Sequence, residues 1–318
     1  MIFSHLFEFA QNREVPDWLQ AVDRAILAIE PYLKQLHEYP DGFRKPVMAA
    51  LEYAHHLALL VPGPIVVNPD TFAKDAYVHA IFPSADLIAE AFRSSRTVQD
   101  YLKKKPKPLE VYALMGMRRL EKAMLGMELS GQVLRRDVPQ RVVYFTGHTL
   151  ENPASTEIRA RAQMAWRFFD SLVDKVAKRV ATRKQNMQLL LQEKDALVAR
   201  LHQADDESRV TMQAELVKML ERIQDMNSTL DLRSYLDDFE TVLSNPEQYL
   251  RLNQSTMVLD DMGIRRDSEA AKQGKPIVFN DLIGFDRRDW TVTMVHCSNI
   301  PSESFSARLE TAYRRLSI

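Results

Sequence analysis

The segment 154–245 contains neither glycine nor proline, and it constrains the fold more than any other feature of the chain. Within it, apolar residues recur at spacings of three and four, a pattern that is typical of a coiled coil. Arg183 and Lys194 occupy two positions of the first series. A charge there either fixes the register, which is the alignment of the helices, or extends past the seam, which is their line of contact. The first series contains Ala162, Ala165, Phe169, Leu172, Val176, Val180, Met187, Leu190, Leu197 and Leu201. The second series contains Met212, Leu216, Met219, Ile223, Met226 and Leu230.

A polar stretch, HQADDESR at 202–209, separates the two series. It offers Asp205 or Asp206 as a helix N-cap, so the sequence predicts a helical hairpin with its tip near Asp205. One continuous helix is the alternative, because nothing in the stretch forbids a helical conformation. The first arm alone, 158–201, would be about 66 Å long.

Strand-like segments flank this helical region on both sides. MELSGQVL (127–134) and RVVYFTGHTL (141–150) precede it, with RRDVPQ between them as a predicted turn. LRLNQSTMVL, PIVFNDLIG and DWTVTMVH follow it between residues 250 and 296. A helical hairpin would return the chain to its starting point, so both sets of strands can join one small antiparallel sheet.

The predicted fold class is therefore α+β and mostly α, with a coiled-coil hairpin inserted between the two β segments of a small antiparallel domain. We predict a helical domain over 1–125, in which LEVYALMGMRRLEKAMLG (109–126) forms the last helix. The β domain combines 126–150 with 248–298, and the coiled-coil hairpin covers 154–245. A C-terminal amphipathic helix is predicted over 302–318.

Composition restricts the classes of function. A net charge of -1 provides no overall field that would attract nucleic acid or an anionic membrane. The patterns GxxxxGKS, GxxxxGKT, GxGxxG and GxSxG are absent, and we expect no cofactor. No apolar run of eighteen residues occurs and the N-terminal residues do not resemble a signal peptide, so we expect a cytoplasmic protein without membrane insertion. The single cysteine, Cys297, is expected to be a structural thiol, because the neighbouring His296 would point to the opposite face of a strand.

One metal-like cluster, Glu52, His55 and His56, lies on a predicted helix. Glutamate and histidine at positions i and i+3 share a helix face, and paired copies of this spacing bind di-iron in some four-helix bundles. Only one copy is present, and Asp75 with His79 could complete a site only if packing brought them close. The alternative is a partly buried histidine pair whose ring nitrogens are bonded to neighbouring carbonyl groups.

The tripeptide Arg-Arg-Asp occurs three times, at 135–137, 265–267 and 287–289. If the strands form a meander interrupted by the helical hairpin, Arg135, Arg136, Arg265 and Arg266 meet at the end of the sheet away from the coiled coil. Paired arginines suit phosphate or carboxylate recognition. The alternative is that each aspartate caps a turn while the arginines are solvated.

Three hypotheses about function follow. The leading one is a non-enzymatic cytoplasmic interaction or scaffold protein that binds a protein partner or a second copy of itself through its coiled coil. The second is a module that binds anions or nucleic acid through the arginine-rich turns, with nucleic acid possible but not favoured. The third is a metal-dependent enzyme with a site near Glu52 and His55. The residues predicted to mediate self-association are Leu216, Met219, Ile223, Met226 and Leu230.

Overall fold

The computed structural model describes residues 17–104, 110–130, 133–266, 274–284 and 289–298. Its helices are α1 (Asp17–Ile29), α2 (Asp41–Leu60), α3 (Pro69–Lys74), α4 (Ala76–Ile81), α5 (Ala85–Ser94), α6 (Arg96–Lys104), α7 (Glu157–Gln203), α8 (Asp206–Ser228) and α9 (Leu232–Leu243). Its strands are β1 (Ile65–Val66), β2 (Glu110–Ser130), β3 (Val133–Ala154), β4 (Arg251–Leu259), β5 (Lys275–Ile283) and β6 (Trp290–Ser298). Short 3-10 helices cover Pro31–Gln35 and Pro246–Gln248. The predicted fold class is confirmed. The predicted C-terminal helix at 302–318 lies outside the described residues.

The sheet has the strand order β3-β2-β6-β5-β4, with β1 pairing in parallel with β6. The expected meander is wrong, because β2 lies against β6 and the strands β3 and β4 end the order on opposite sides. β6 is buried along most of its length, and it pairs with β2 over residues 291–298, with β5 at 290–291 and with β1 at 295–296. The sheet also curls, since the Val143 N–H donates to the Gly263 carbonyl at 2.9 Å. Gly263 has a φ of +73°, which favours glycine.

The segment 110–125, predicted to be helical, forms most of strand β2. Leucine, methionine, alanine, glutamate and lysine all favour helices in isolation, and a short apolar run does not by itself distinguish a helix from a buried strand. Residues 111, 113–115 and 117 are buried between β3 and β6, and this pairing outweighs the local preference. The predicted turn at 135–140 is also part of a strand, because β2 ends at Ser130 and β3 begins at Val133.

The chain divides into two compact units. One comprises the described residues up to Ala54 together with Phe168–Tyr249, and the other comprises those of His55–Arg167 together with those from Leu250 onward. The division falls within α2 and α7. The core of the second unit lies between the sheet and helices α4 to α6 and includes Phe82, Phe92, Met115, Phe145 and Phe279.

The core of the first unit includes the first half of its α7 segment. Phe168, Phe169, Leu172, Val176 and Val180 are buried there. On neighbouring elements of the same unit, the rings of Phe43 and Phe239 meet edge to face at 5.0 Å. Only the part of α7 beyond about residue 183 forms an arm with α8, so the arm is shorter than the apolar series predicts.

The predicted helical hairpin is confirmed, and its tip lies at residues 204–205. Asp205 is the N-cap of α8 and accepts a hydrogen bond from the Ser208 N–H at 2.9 Å. Leu190 and Leu197 of α7 form a buried cluster with Met219 of α8. One continuous helix over 158–230 is therefore excluded.

Candidate functional site

The seam between α7 and α8 is closed within the chain. Met219 is buried against Leu190 and Leu197, and Met212, Leu216, Ile223 and Met226 pack around this cluster. Leu230, in the turn after α8, is half-buried. The residues predicted to mediate self-association are thus largely occupied by intramolecular packing, and a partner would have to bind elsewhere on the arm.

Arg183 lies at the base of the arm and joins three elements. Its guanidinium group donates to the Thr229 carbonyl at 3.3 Å and to Ser234 Oγ at 3.0 Å, and it pairs with the Asp238 carboxylate at 2.8 Å. These contacts fix the position of α9 relative to α7, as expected if the seam charge sets the register. Lys194 instead pairs with its exposed neighbour Asp195 at 3.0 Å.

One side of the hairpin carries a second apolar stripe. In an antiparallel pair, the residues that directly follow Leu190, Leu197 and Met219 of the seam lie on the same side. These residues are Leu191, Val198 and Leu220. Val217 and Val210 lie three and ten positions before Leu220, and we define the apolar flank as all five residues. The exposed fractions are 38% for Leu191, 68% for Val210, 56% for Val217 and 48% for Leu220, while Val198 is half-buried.

The opposite side of the hairpin has a different chemistry. We define the polar flank by five exposed polar residues that directly precede seam positions: Asn186, Glu193, Arg200, Glu215 and Arg222. One apolar side chain, Leu189, precedes Leu190 on the same side and is 49% exposed. Charged residues of both signs keep this side solvated. The two flanks are therefore unequal, because the apolar flank carries a stripe of exposed apolar side chains whose burial would be favourable, whereas Leu189 stands among polar residues.

The sequence contained a signal for the apolar flank. Val210 and Val217 are seven residues apart, and Leu220 follows at a spacing of three. This pattern runs beside the stronger series that begins at Met212. It becomes meaningful only when the antiparallel hairpin shows which residues of α7 lie on the same side.

The four arginines predicted to form an anion site are not brought together. Arg135 and Arg136 are exposed on β3. The backbone N–H of Arg265 bonds to the Arg141 carbonyl, which lies six residues, or about 20 Å, along the strand from Arg135. Arg266 is committed to the Asp260 carboxylate at 2.6 Å, where both side chains are largely buried. The third pair, at 287–288, lies outside the described residues.

The predicted metal cluster lacks a convergent set of ligands. Glu52 and His56 are exposed and His55 is half-buried. Within the described part of the chain, no group of three or more His, Cys, Asp or Glu side chains is arranged to hold a metal ion. Asp75 instead accepts hydrogen bonds from the backbone N–H groups of residues 77 and 78 at the start of α4. His79 Nε2 lies 2.9 Å from the Asp261 carbonyl.

A cavity of about 590 Å³ lies in the second unit between α4 and the end of β4. Its floor is apolar and includes Val143, Phe145 and Leu259. Lys74, Lys275 and Asp261 line it as well, and the last two form an ion pair at 3.6 Å. Its volume is that of a small-molecule site, whereas its polar residues include no nucleophile held by a general base.

A buried polar network closes one end of the same unit's core. Arg119 donates to Asp281 at 2.7 Å and to Ser255 Oγ at 3.0 Å, and Thr291 donates to the second carboxylate oxygen of Asp281 at 2.7 Å. The guanidinium group also lies 5.6 Å from the ring centroid of Phe279. Because these side chains bond to one another, the network is suited to structure. No motif in the sequence points to this network, because its members come from four separate strands.

The cysteine and the neighbouring histidine do not form a reactive pair. Cys297 is a buried free thiol, and burial raises its pKa to about 11, so it is protonated near neutral pH. His296 Nε2 instead lies 3.7 Å from the Glu110 carboxylate, and its ring stacks on Tyr112. This agrees with the expectation of a structural thiol.

Among the helices in the described ranges, none is long and apolar enough to cross a bilayer. Comparison with known proteins gives no match, whether to a family model, to a curated protein or to a solved structure.

Proposed function

We propose that this protein acts without enzymatic chemistry, as an interaction protein whose coiled-coil arm binds a helical protein segment along the apolar flank. The observation that carries the proposal is the exposure of Val210, Val217 and Leu220 on a hairpin whose seam is already filled. Four of its five residues are more than a third exposed, and contiguous exposed apolar surface can mark a site of protein–protein interaction. A cytoplasmic setting belongs to the same proposal.

The geometry of the flank fits a helix better than an extended peptide. Its members recur at helical spacing along two neighbouring helices, so they border a shallow groove in which the apolar face of a third helix can lie. An extended peptide would need unpaired backbone groups at a sheet edge, and the surface of two helices provides none.

Site-specific photo-crosslinking in the protein's native cells tests this proposal. Benzoylphenylalanine in place of Val217 should form a covalent adduct with another polypeptide, because a bound helix would cover this position. The same group in place of Glu215, on the polar flank, is the matched control and should form no such adduct. Equal crosslinking from both positions, or none from Val217, would contradict the proposal.

A further inference from the structure

We propose that the partner of the apolar flank is a second copy of this chain, so that two hairpins pack flank to flank as a four-helix bundle. This inference rests on the proposed function. In a two-fold dimer the same surface faces itself, which requires a patch that is complementary to its own copy. The chemistry of the flank meets this requirement.

Charge is the first reason. The exposed polar side chains that continue the stripe on α8 are Gln213, Gln224 and Asn227, and their amides both donate and accept hydrogen bonds. The stripe on α7 contains two charged members, Lys184 and Asp195, and each is paired within the chain, Lys184 with Glu30 and Asp195 with Lys194. Two copies therefore meet without like-charge repulsion. A strongly acidic or basic partner would find no opposite charge to pair with.

Size is the second reason. α8 has 23 residues and is about 34 Å long, and a second copy presents the same stripe over the same length. Two flanks with their polar margins would form a small interface, of the size found in weak or transient complexes. The expected dimer is accordingly weak and should dissociate on dilution.

Gel filtration with light scattering on the full chain, from about 1 to 100 µM, tests the inference. The mass should rise with concentration from 36.7 kDa toward twice that value. Val217→Lys should hold the protein at the monomer mass throughout, since it would place two charges in the interface. Its circular dichroism should be unchanged, because the substituted side chain is more than half exposed.

Asn186→Lys is the matched control, since it adds the same charge at an exposed position on the polar flank. It should dimerise like the unmodified chain. A chain that stays monomeric at 100 µM, or a Val217→Lys variant that dimerises equally well, overturns the inference. If the chain is monomeric but the crosslinker at position 217 captures a different protein, the second-copy partner is excluded and the proposed function stands. If neither association is seen, both fail.

Discussion

Arg183 of α7 and Asp238 of α9 form a salt bridge of 2.8 Å, and the aspartate is almost fully buried. The same carboxylate lies 3.4 Å from a guanidinium nitrogen of Arg179. Asp238 is thus the shared anion for two arginines of one helix, at the level where the arm leaves the helical core.

Replacement of that aspartate should destabilise the first unit. Asp238→Asn removes the charge that both arginines share but keeps the side-chain shape. We expect a loss of about 1–3 kcal/mol, since the arginines are partly exposed and retain some hydration. Urea unfolding monitored by circular dichroism measures it. The neighbouring Asp237 is exposed, and Asp237→Asn should change stability by less than about 0.5 kcal/mol. Equal effects of the two substitutions would show that the shared anion contributes nothing.

The Arg119–Asp281 pair should show strong coupling in a double-mutant cycle. Each partner is largely buried, so Asp281→Leu or Arg119→Met alone leaves the other charge without its main partner. We expect each single substitution to cost about 3 kcal/mol and the double variant to cost clearly less than their sum. Additive losses in urea unfolding would mean that the two charges do not interact.

Protonation of His148 should weaken the second unit below neutral pH. The ring stacks on Phe82 at 4.7 Å and lies 2.8 Å from the Ile81 carbonyl. Burial lowers the pKa of His148 from 6.5, and the bond to that carbonyl opposes the change only partly. As the pH falls, His148 therefore binds a proton at a higher pH in the unfolded chain than in the folded chain. The stabilising contribution is complete above pH 6.5 and is lost as the pH falls from there toward the lowered pKa.

Urea unfolding at pH 8, 6.5 and 5.5 checks this. The unmodified chain should lose stability over the lower part of the range, and His148→Gln should lose less. His202, at the exposed end of α7, is the control, because His202→Gln should leave the pH dependence unchanged. A pH dependence that survives in His148→Gln would assign the effect to other groups.

Those parts of the fold that depend on local periodicity could be predicted from the sequence. The spacing of three and four indicated the pairing of Leu190 and Leu197 with the second series. The polar gap offered Asp205 or Asp206 as the cap, and Asp205 is the one the structure uses. β2 could not be predicted in this way, since Met115 is apolar in a run with no strand-like alternation and its conformation depends on two distant partner strands. The apolar flank could be predicted only in part. The spacing that includes Val217 is visible in the sequence, but its significance depends on the hairpin.

The pairs at 135–136 and 265–266 lie apart for a topological reason. To predict whether the arginines meet, one must know the order of the strands in the sheet. That order depends on which strand is most buried and not on the order of the strands along the chain. β6 is the last described strand, yet it lies at the centre of the sheet. Arg266 then meets Asp260, six residues earlier, across the turn that follows β4. Because the two residues are only six positions apart, this pairing could have been proposed from the sequence alone. It is a simpler interpretation of this tripeptide than an anion site.

Filling the seam at position 194 should stabilise the arm. Lys194 stands between Leu190 and Leu197 in the seam, and its ammonium group reaches only the exposed Asp195, a surface pair that contributes little. Lys194→Leu would replace a charge at a half-buried position by an apolar side chain, and we expect a gain of about 1 kcal/mol. Glu193→Leu, one position away on the polar flank, is the control and should give no gain, since its side chain remains in water. Hydrogen exchange of the α8 amides is the measurement, with slower exchange expected for Lys194→Leu alone. Faster exchange in that variant would show that the lysine is needed where it stands.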